Sequence, residues 1–325
     1  MTNDKTEHVH ITDGNCRPVA AVVGPTASGK TALAIALARR FDGEIVSCDS
    51  MQIYRGMDIG TAKPTAQERA QAPHHMIDIA DPGEEYSCAR YAAEAGEAIR
   101  EIQKRGKLPI LCGGTGLYLD SVLLPDRHAA PQSDPALRQE LRKKTPSERY
   151  DLLLRVDPES ANATHPNNEI RVIRALEIYL LSGKTKTQWD LESQAAQPAF
   201  RAAVIGLDYA DRTLLYARID RRVDEMLERG LADEVKKLDL PPDSTAGQAI
   251  GYKEMRAYLA GDCTLEEAAA QIKTASRNYA KRQLTWFRRR KDICWLYPDK
   301  SHGFEEIVNN ASDFLTNEKI CDIIR

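Results

Sequence analysis

The segment best suited to chemistry is a glycine-containing stretch that follows a short apolar run. It reads Gly24-Pro25-Thr26-Ala27-Ser28-Gly29-Lys30-Thr31 and matches the pattern G-x-x-x-x-G-K-S/T. In this pattern, backbone amides and the N-terminus of the following helix surround a phosphate, Lys30 neutralises the distal phosphate, and Thr31 binds Mg²⁺. The segment therefore predicts a di- or triphosphate ligand, and it leaves open whether ATP binds there.

A carboxylate after the next predicted strand is the second candidate. Asp49 follows the run from Glu44 to Cys48. At this place it could bind Mg²⁺, accept a proton from an incoming nucleophile, or simply cap a turn. The chain lacks the Asn-Lys-x-Asp signature of guanine-nucleotide binding, which disfavours a GTPase.

Strands and helices alternate along the chain in the way that positions such residues at the edge of a parallel sheet. The predicted strands are Val19–Val23, Glu44–Cys48, Met76–Ile79, Leu108–Cys112, Ala202–Leu207 and Ile293–Leu296, and helices are predicted over 32–40, 87–105, 211–229 and 265–291. This alternation predicts an α/β fold with a P-loop NTPase-like, doubly wound parallel sheet. Ligands in such folds bind at the carboxyl ends of the strands.

Changes in composition along the chain suggest the domain boundaries. Residues 1–17 are polar and patternless, which predicts a flexible tail, and 18–125 with 200–299 are expected to form the α/β core. Prolines punctuate short charged segments between these two parts, so 126–199 is predicted to be a helical insertion domain. We expect 300–325 to be a C-terminal tail.

Composition excludes several classes of protein. The chain has 325 residues with 45 Lys and Arg against 48 Asp and Glu, a net charge of −3. No run approaches the roughly 18 apolar residues that a membrane span needs. The seven scattered cysteines form no Cys-x-x-Cys pair, which favours reduced thiols over disulfides or a zinc site. We therefore expect a cytoplasmic protein that does not contact a membrane. We also expect a monomer, although the sequence itself carries no signal of the oligomeric state.

A basic stripe near the C-terminus departs from this near-neutral average. It is defined by the eight cations Lys273, Arg277, Lys281, Arg282, Arg288, Arg289, Arg290 and Lys291, with no acidic residue among them. Tyr279, Trp286 and Phe287 are interleaved with these cations, an arrangement typical of single-stranded RNA binding. We expect Lys281 and Arg282 to contact phosphates, and Trp286 and Phe287 to pack in the core.

Several motifs along the chain closely resemble those of the bacterial tRNA dimethylallyltransferase family. Besides the phosphate-binding segment, they are 49–64 (Asp49-Ser50-Met51-Gln52 onward), 74–82, Gly113-Gly114-Thr115-Gly116-Leu117-Tyr118, His165-Pro166-Asn167, 171–184, Ile250-Gly251-Tyr252 and 280–287. They occur in order over roughly 19–296. The resemblance implies transfer of a dimethylallyl group from dimethylallyl diphosphate to the exocyclic N6 of the adenosine 3′-adjacent to the anticodon of tRNA.

The resemblance also implies roles for individual residues. Asp49 would be the base, Arg222 a cation that neutralises the departing diphosphate with Lys30, and Thr31 a ligand of Mg²⁺. Ser50, Met51 and Gln52 would surround the flipped base, and Thr115 would contact the tRNA. Arg171 and Arg174, three residues apart on one helix, could grip the RNA backbone together, although Ile170 replaces a glutamine that many members have before the first arginine.

Other functions share the same phosphate-binding segment. A nucleoside or small-molecule kinase would use ATP there with Asp49 as base, and an RNA-binding NTPase would use the basic stripe. An enzyme that prenylates free AMP is nearer in sequence. The arginine pair and the stripe favour a macromolecular acceptor over these alternatives.

Overall fold

A six-stranded, wholly parallel sheet forms the centre of the fold. The structure, a computed structural model, describes residues 18–124, 131, 133–194 and 198–320. The strands are β1 (Pro18–Val23), β2 (Gly43–Ser47), β3 (His74–His75), β4 (Leu108–Gly113), β5 (Arg201–Leu207) and β6 (Ile293–Leu296), in the order β3-β2-β4-β1-β5-β6. The predicted α/β class with a doubly wound parallel sheet is confirmed.

The described residues also form a series of α-helices. They are α1 (Lys30–Arg40), α2 (Ala66–Arg69), α3 (Cys88–Lys104), α4 (Gly116–Leu123), α5 (Pro135–Arg142), α6 (Pro146–Val156), α7 (Pro158–Asn162), α8 (Glu169–Ser182), α9 (Lys186–Gln194), α10 (Arg212–Glu228), α11 (Leu231–Leu238), α12 (Tyr252–Ala260), α13 (Leu265–Phe287) and α14 (Phe304–Asn317). The core between sheet and helices includes Leu33 and Leu37 of α1 and Ile110 of β4, all fully buried.

The register of the sheet brings the candidate loops to one edge. Cys112 of β4 pairs with Val22 of β1 on one side and with Ser47 of β2 on the other. The loops that follow these three strands carry the phosphate-binding segment, Asp49 and Thr115. Because parallel strands share a direction, these loops leave the sheet side by side.

The described residues divide into two compact units. The first comprises those within 1–85, 94–116 and 199–325, and it contains the sheet. The second comprises those within 86–93 and 117–198, and its core includes Leu153, Val172 and Leu176. Between 126 and 199 the described residues form helices and no strand. The predicted tail at 1–17 lies outside the described residues.

Three local predictions were wrong. The strand placed at Met76–Ile79 occupies His74–His75 instead, because Met76 and Asp78 have φ angles of 62° and 58°, which no strand tolerates. The helix predicted to run to residue 291 ends at Phe287. The expected C-terminal tail contains α14, which buries Ile307, Ala311 and Leu315 at four-residue spacing in the core around α1.

Two further observations concern the whole described chain. None of its helices combines the length and the apolar character required to cross a bilayer. Its five cysteines, Cys48, Cys88, Cys112, Cys263 and Cys294, are all free thiols.

Candidate active site

A cavity of about 330 Å³ lies in the first unit. The predicted site residues that line it are Thr26, Lys30, Thr31, Asp49, Ser50, Met51, Gln52, Arg222 and Arg282. Segments 60–64 and 245–250 and helix α13 also contribute to its walls, as do residues of β2, β3, β4 and α10. Residues from distant parts of the sequence, which were predicted to act on one diphosphate and one acceptor, thus share a single cavity.

The phosphate-binding segment has the backbone that its sequence predicts. Gly24 and Gly29 have φ angles of 141° and 97°, and a β-carbon on Gly24 would lie 2.4 Å from the Leu207 carbonyl oxygen. Gly29 caps the N-terminus of α1, so the amides of its first turn point out of the helix end. Ala27 also has positive φ, at 62°. The hydroxyl of Ser28 is buried and has no hydrogen-bond partner in the described structure.

Lys30 contributes a cation to the cavity, and the surroundings of its amine shift its pKa. Its Nζ donates a hydrogen bond to the Pro25 carbonyl oxygen at 2.6 Å. Burial lowers the pKa of Lys30 to about 8, against partial compensation from Asp49. Burial also raises the pKa of the neighbouring Cys112 thiol to about 12, so that this thiol remains protonated. An incoming diphosphate therefore meets one ammonium group and a neutral thiol.

Asp49 is oriented by its own loop at the end of β2. Its Oδ1 accepts a hydrogen bond from the Met51 amide at 2.9 Å. The Ser50 amide donates to Thr115 Oγ1 at 3.1 Å, and the Thr115 amide donates to the Cys48 carbonyl oxygen at 3.1 Å. Thr115, predicted to contact tRNA, thus holds the Asp49 loop against the end of β4.

Arg222 extends from α10 into the same cavity. Its Nη2 lies 3.5 Å from the Thr61 carbonyl oxygen. Burial lowers the pKa of Arg222, whereas the Asp49 carboxylate acts to raise it. Two cations, Lys30 and Arg222, therefore line the same cavity as Asp49.

The cations of the basic stripe differ in whether an acidic side chain is paired with them. Four of its members bind carboxylates at 2.6 to 2.8 Å: Lys273 with Asp224, Arg277 with Asp220, Arg288 with Asp208, and Arg290 with Asp292. Lys281 and Arg282 are exposed and lie 5.9 and 5.5 Å from the ring centroids of Tyr216 and Tyr279, respectively. Phe287 is fully buried as predicted. Trp286 is half-buried against Gly116, where a β-carbon would lie 2.1 Å from the indole ring.

In the second unit, the two arginines predicted to grip RNA differ. Arg171 is exposed near the start of α8. Arg174 instead donates to Glu177 Oε2 at 2.6 Å and to the Pro131 carbonyl oxygen at 2.8 Å. Burial alone would raise the pKa of the fully buried Glu177, but hydrogen bonds from Arg138 and Arg174 lower it. Arg174 therefore already has a structural partner, whereas Arg171 is exposed to solvent and can meet a ligand.

Two cavity residues, Tyr279 and Gln283, were not predicted as site residues. Gln283 bonds the backbone of Thr26 on one side and of Gly114 on the other. Its partner Thr26 is 257 positions away, so no local pattern could have indicated the contact. The one signal in the sequence for Gln283 was its place in the family-like block 280–287, in which only the cations and the aromatic residues had been given roles.

The cavity wall also offers donors for the predicted Mg²⁺. Among the described residues, no three His, Cys, Asp or Glu side chains are grouped to hold a metal ion. The Thr31 hydroxyl and the Asp49 carboxylate are hard oxygen donors on the same cavity. Mg²⁺ characteristically takes one or two such protein ligands and completes its shell with phosphate oxygens and water. The donor set thus fits Mg²⁺ together with a diphosphate.

The chain matches two family models. The model for IPP transferase covers residues 52–290, and the model for isopentenyl transferase covers residues 17–77. The first match spans the Asp49 loop from Gln52 onward, α10 and α13, and the second spans the phosphate-binding segment. The two matches therefore include all the walls of the cavity.

Individual proteins are similar over almost the whole chain. A tRNA dimethylallyltransferase of Anoxybacillus flavithermus is 48% identical over 299 residues, covering 91% of this chain and 96% of the relative. One of Bacillus cytotoxicus is 51% identical over 284 residues, covering 86% and 89%.

Solved structures agree with these relatives. The full-length tRNA isopentenylpyrophosphate transferase of Bacillus halodurans matches with a TM-score of 0.70 at 44% identity, covering 95% of this chain and 97% of that one. A eukaryotic dimethylallyltransferase acting on tRNA matches with a TM-score of 0.78 at 32% identity, covering 93% and 80%. Identity of this level over nearly the full length establishes that the chain belongs to the tRNA dimethylallyltransferase family.

Proposed function

We propose that this protein transfers a dimethylallyl group from dimethylallyl diphosphate to the exocyclic N6 of the adenosine 3′-adjacent to the anticodon in tRNA, and releases diphosphate. The observation that carries the proposal is a single cavity lined by Lys30, Thr31, Asp49 and Arg222. The cations and the phosphate-binding segment of this cavity suit the leaving group, and its carboxylate suits the acceptor.

On the donor side, the bond between C1 of the dimethylallyl group and the diphosphate oxygen breaks, and its electron pair leaves with the diphosphate. The growing negative charge is balanced by Lys30, Arg222 and the amides at the N-terminus of α1. A Mg²⁺ ion held by Thr31 and phosphate oxygens would supply further neutralisation when bound. Because these groups sit in the half-buried wall of a cavity, their charge is screened less than at an open surface.

On the acceptor side, the N6 lone pair of adenosine forms the new bond to C1. This amine is a poor nucleophile because its lone pair is delocalised into the ring. Asp49 accepts the N6 proton as the bond forms, which keeps electron density on nitrogen. The Met51 amide holds Oδ1 of Asp49 in place, so the carboxylate does not have to reorient during the reaction.

The acceptor base must leave its stack to enter the cavity, which costs a few kcal/mol. Exposed cations beside the cavity can offset this cost by binding phosphates. Arg282 lines the cavity and Lys281 precedes it on α13. A kinase or a free-AMP prenyltransferase would not require these groups, so we favour tRNA as the acceptor.

We infer further that the enzyme acts in the cytoplasm; that it is a monomer stays a prediction. Its acceptor is tRNA, and its described cysteines are free thiols.

The test is transfer of label from radiolabelled dimethylallyl diphosphate with Mg²⁺ to tRNA that lacks the modification. Parallel reactions contain free AMP as acceptor, or ATP with tRNA. Label on tRNA alone is the expected result, and Asp49→Asn should reduce transfer at least roughly 100-fold with little change in tRNA affinity. Label on AMP, or ATP consumption without prenyl transfer, would overturn the proposal.

A further inference from the structure

One face of α13 connects the loops of the cavity. Tyr279 and Gln283 are four residues apart, so they lie one above the other on the same side of the helix. Both line the cavity. Neither takes part in the chemistry proposed above. Both contact the loop after β4, and Gln283 also contacts the phosphate-binding segment.

Gln283 bridges the phosphate-binding segment and the loop after β4. Its Oε1 accepts a hydrogen bond from the Thr26 amide at 2.9 Å, and its Nε2 donates to the Gly114 carbonyl oxygen at 2.9 Å. The residue is only 5% exposed. A β-carbon on Gly114 would lie 2.1 Å from Nε2, so a glycine there permits the approach. The side-chain amide thus fixes the spacing of two loops that follow neighbouring strands.

Tyr279 bonds the loop on the acceptor side. Its hydroxyl interacts with the side chain of Thr115, whose Oγ1 accepts a hydrogen bond from the Ser50 amide at 3.1 Å. Burial and the nearby Asp49 raise the pKa of Tyr279 to about 12, so the phenol keeps its proton at physiological pH. The chain of contacts therefore runs from α13 through Thr115 to the residue that follows Asp49.

We propose that Gln283 and Tyr279 are positioning residues through which α13 sets the phosphate loop and the Asp49 loop in one common geometry. The proposal rests on the proposed function, since it assigns the two loops to the donor and the acceptor. Gln283 keeps the Thr26 amide in place before diphosphate arrives, and Tyr279 keeps Thr115 and Ser50 in place before the base arrives. Such prior ordering matters because displacements of about 1 Å can cost around 100-fold in rate.

The first experiment measures binding of inorganic pyrophosphate with Mg²⁺ by calorimetry, without tRNA. Gln283→Met keeps the length of the side chain and removes both hydrogen bonds, and we expect at least tenfold weaker binding. Gln103→Met is the matched control, because Gln103 Nε2 donates to the Pro18 carbonyl oxygen at the start of β1, at the opposite end of the strand from the cavity. The control should bind pyrophosphate within twofold of the unaltered protein.

The second experiment measures steady-state prenyl transfer by Tyr279→Phe, which loses only the hydroxyl. We expect a roughly tenfold lower kcat with an unchanged KM for dimethylallyl diphosphate and unchanged pyrophosphate binding. A purely structural role would instead move all three quantities together. Gln283→Asn, which is too short to reach both loops, replaces Gln283→Met if thermal unfolding shows that the latter does not fold.

Unaltered pyrophosphate binding in the Gln283 variants would overturn the proposal, as would an equal loss of pyrophosphate binding in Gln103→Met. For Tyr279→Phe, weaker pyrophosphate binding or an unchanged kcat would overturn it. These results are distinct from failure of the proposed function. If the unaltered protein transferred no label to tRNA, the proposed function would fall, whereas pyrophosphate binding needs no acceptor and would still test Gln283.

Discussion

The Glu234 carboxylate accepts a hydrogen bond from the Tyr252 hydroxyl at 2.6 Å, and it simultaneously caps the loop that begins the 60–64 cavity wall. Its oxygens accept from the amides of Asp58, Ile59 and Gly60 at 2.7 to 3.0 Å. Burial and the adjacent Glu234 raise the pKa of Tyr252, so its hydroxyl remains a donor. One carboxylate thus replaces water for three consecutive amides and joins this loop to α11 and α12.

Removing this carboxylate should loosen the cavity wall. The residues that follow these amides contact two predicted site residues. The carbonyl oxygens of Thr61 and Ala62 each lie 3.4 Å from Gln52 Nε2, and that of Thr61 also lies 3.5 Å from Arg222 Nη2. We expect Glu234→Gln, whose amide would face backbone donors, to lower the free energy of unfolding by about 2 kcal/mol. Its kcat/KM for dimethylallyl diphosphate should fall about tenfold.

Tyr252→Phe is the graded control for this prediction. It removes one of the four hydrogen bonds to Glu234, so its effect on kcat/KM should be a few-fold at most. Denaturant unfolding and steady-state kinetics measure both variants. Equal kinetics for Glu234→Gln and the unaltered protein would show that the loop needs no cap.

Local sequence chemistry was enough to predict the phosphate loop and not enough to predict its support. Gly24 and Gly29 act within a few residues of each other, so their pattern is readable along the chain. Glu234 contacts residues about 175 positions away, and Gln283 contacts Thr26 across 257. Such contacts depend on how the sheet orders its strands, and only the folded structure reveals them.

In the basic stripe, local sequence predicted more RNA-binding cations than the fold leaves unpaired with acidic side chains. Its eight cations predicted one RNA surface, but the carboxylates that pair with Lys273 and Arg277 lie on α10, 49 and 57 positions earlier. Arg222 likewise was assigned to the site through the family resemblance, because an arginine beside another arginine has no distinctive local signal. A charge run in sequence counts cations without showing which are already paired.

The charge on Lys30 should make diphosphate binding dependent on pH. The pKa of Lys30 in the free protein is about 8, and a bound anion raises it, so binding above pH 8 takes up a proton. Pyrophosphate affinity should therefore fall as pH rises from 8 toward 10. Calorimetry in two buffers of different ionisation enthalpy measures the proton uptake. Lys30→Arg stays charged throughout and corrects for ionisation of pyrophosphate itself, and identical slopes for the two proteins would contradict the assignment.

The same low pKa has a consequence for stability. In the unfolded chain Lys30 has its ordinary pKa of 10.5, so between about pH 8 and 10.5 the unfolded state binds more protons than the folded state. The contribution of Lys30 to the free energy of unfolding therefore rises with pH across this window. Lys30→Met should be more stable than the unaltered protein at pH 7, and the difference should shrink by pH 10, as followed by denaturant unfolding. A constant difference would contradict the burial of a charged amine.

Salt titrations of tRNA binding should distinguish Lys281 and Arg282 from the cations of the basic stripe that are paired with carboxylates. We expect Lys281→Ala with Arg282→Ala to weaken binding and to reduce the slope of log K against log salt by about one for each phosphate that is no longer neutralised. Arg288→Ala is the matched control, because Arg288 binds Asp208, whose side chain is 2% exposed. It should leave the salt slope unchanged. Equal slopes for all three proteins would remove Lys281 and Arg282 from the RNA interface.

Arg171 and Arg174 of α8 should affect different properties, tRNA binding for Arg171 and stability for Arg174. Arg171→Ala should raise the KM for tRNA and leave unfolding unchanged, because its side chain is exposed. Arg174→Ala should lower the free energy of unfolding by about 3 kcal/mol, because the fully buried Glu177 then keeps only Arg138 as a charged partner. The folded-state pKa of Glu177 lies below its usual 4.5, so this stabilisation is present above pH 4.5 and is lost as pH falls through the folded value. The unfolding difference between Arg174→Ala and the unaltered protein should accordingly shrink in acid, and a difference independent of pH would mean that Arg174 stabilises the helix by packing and not through Glu177.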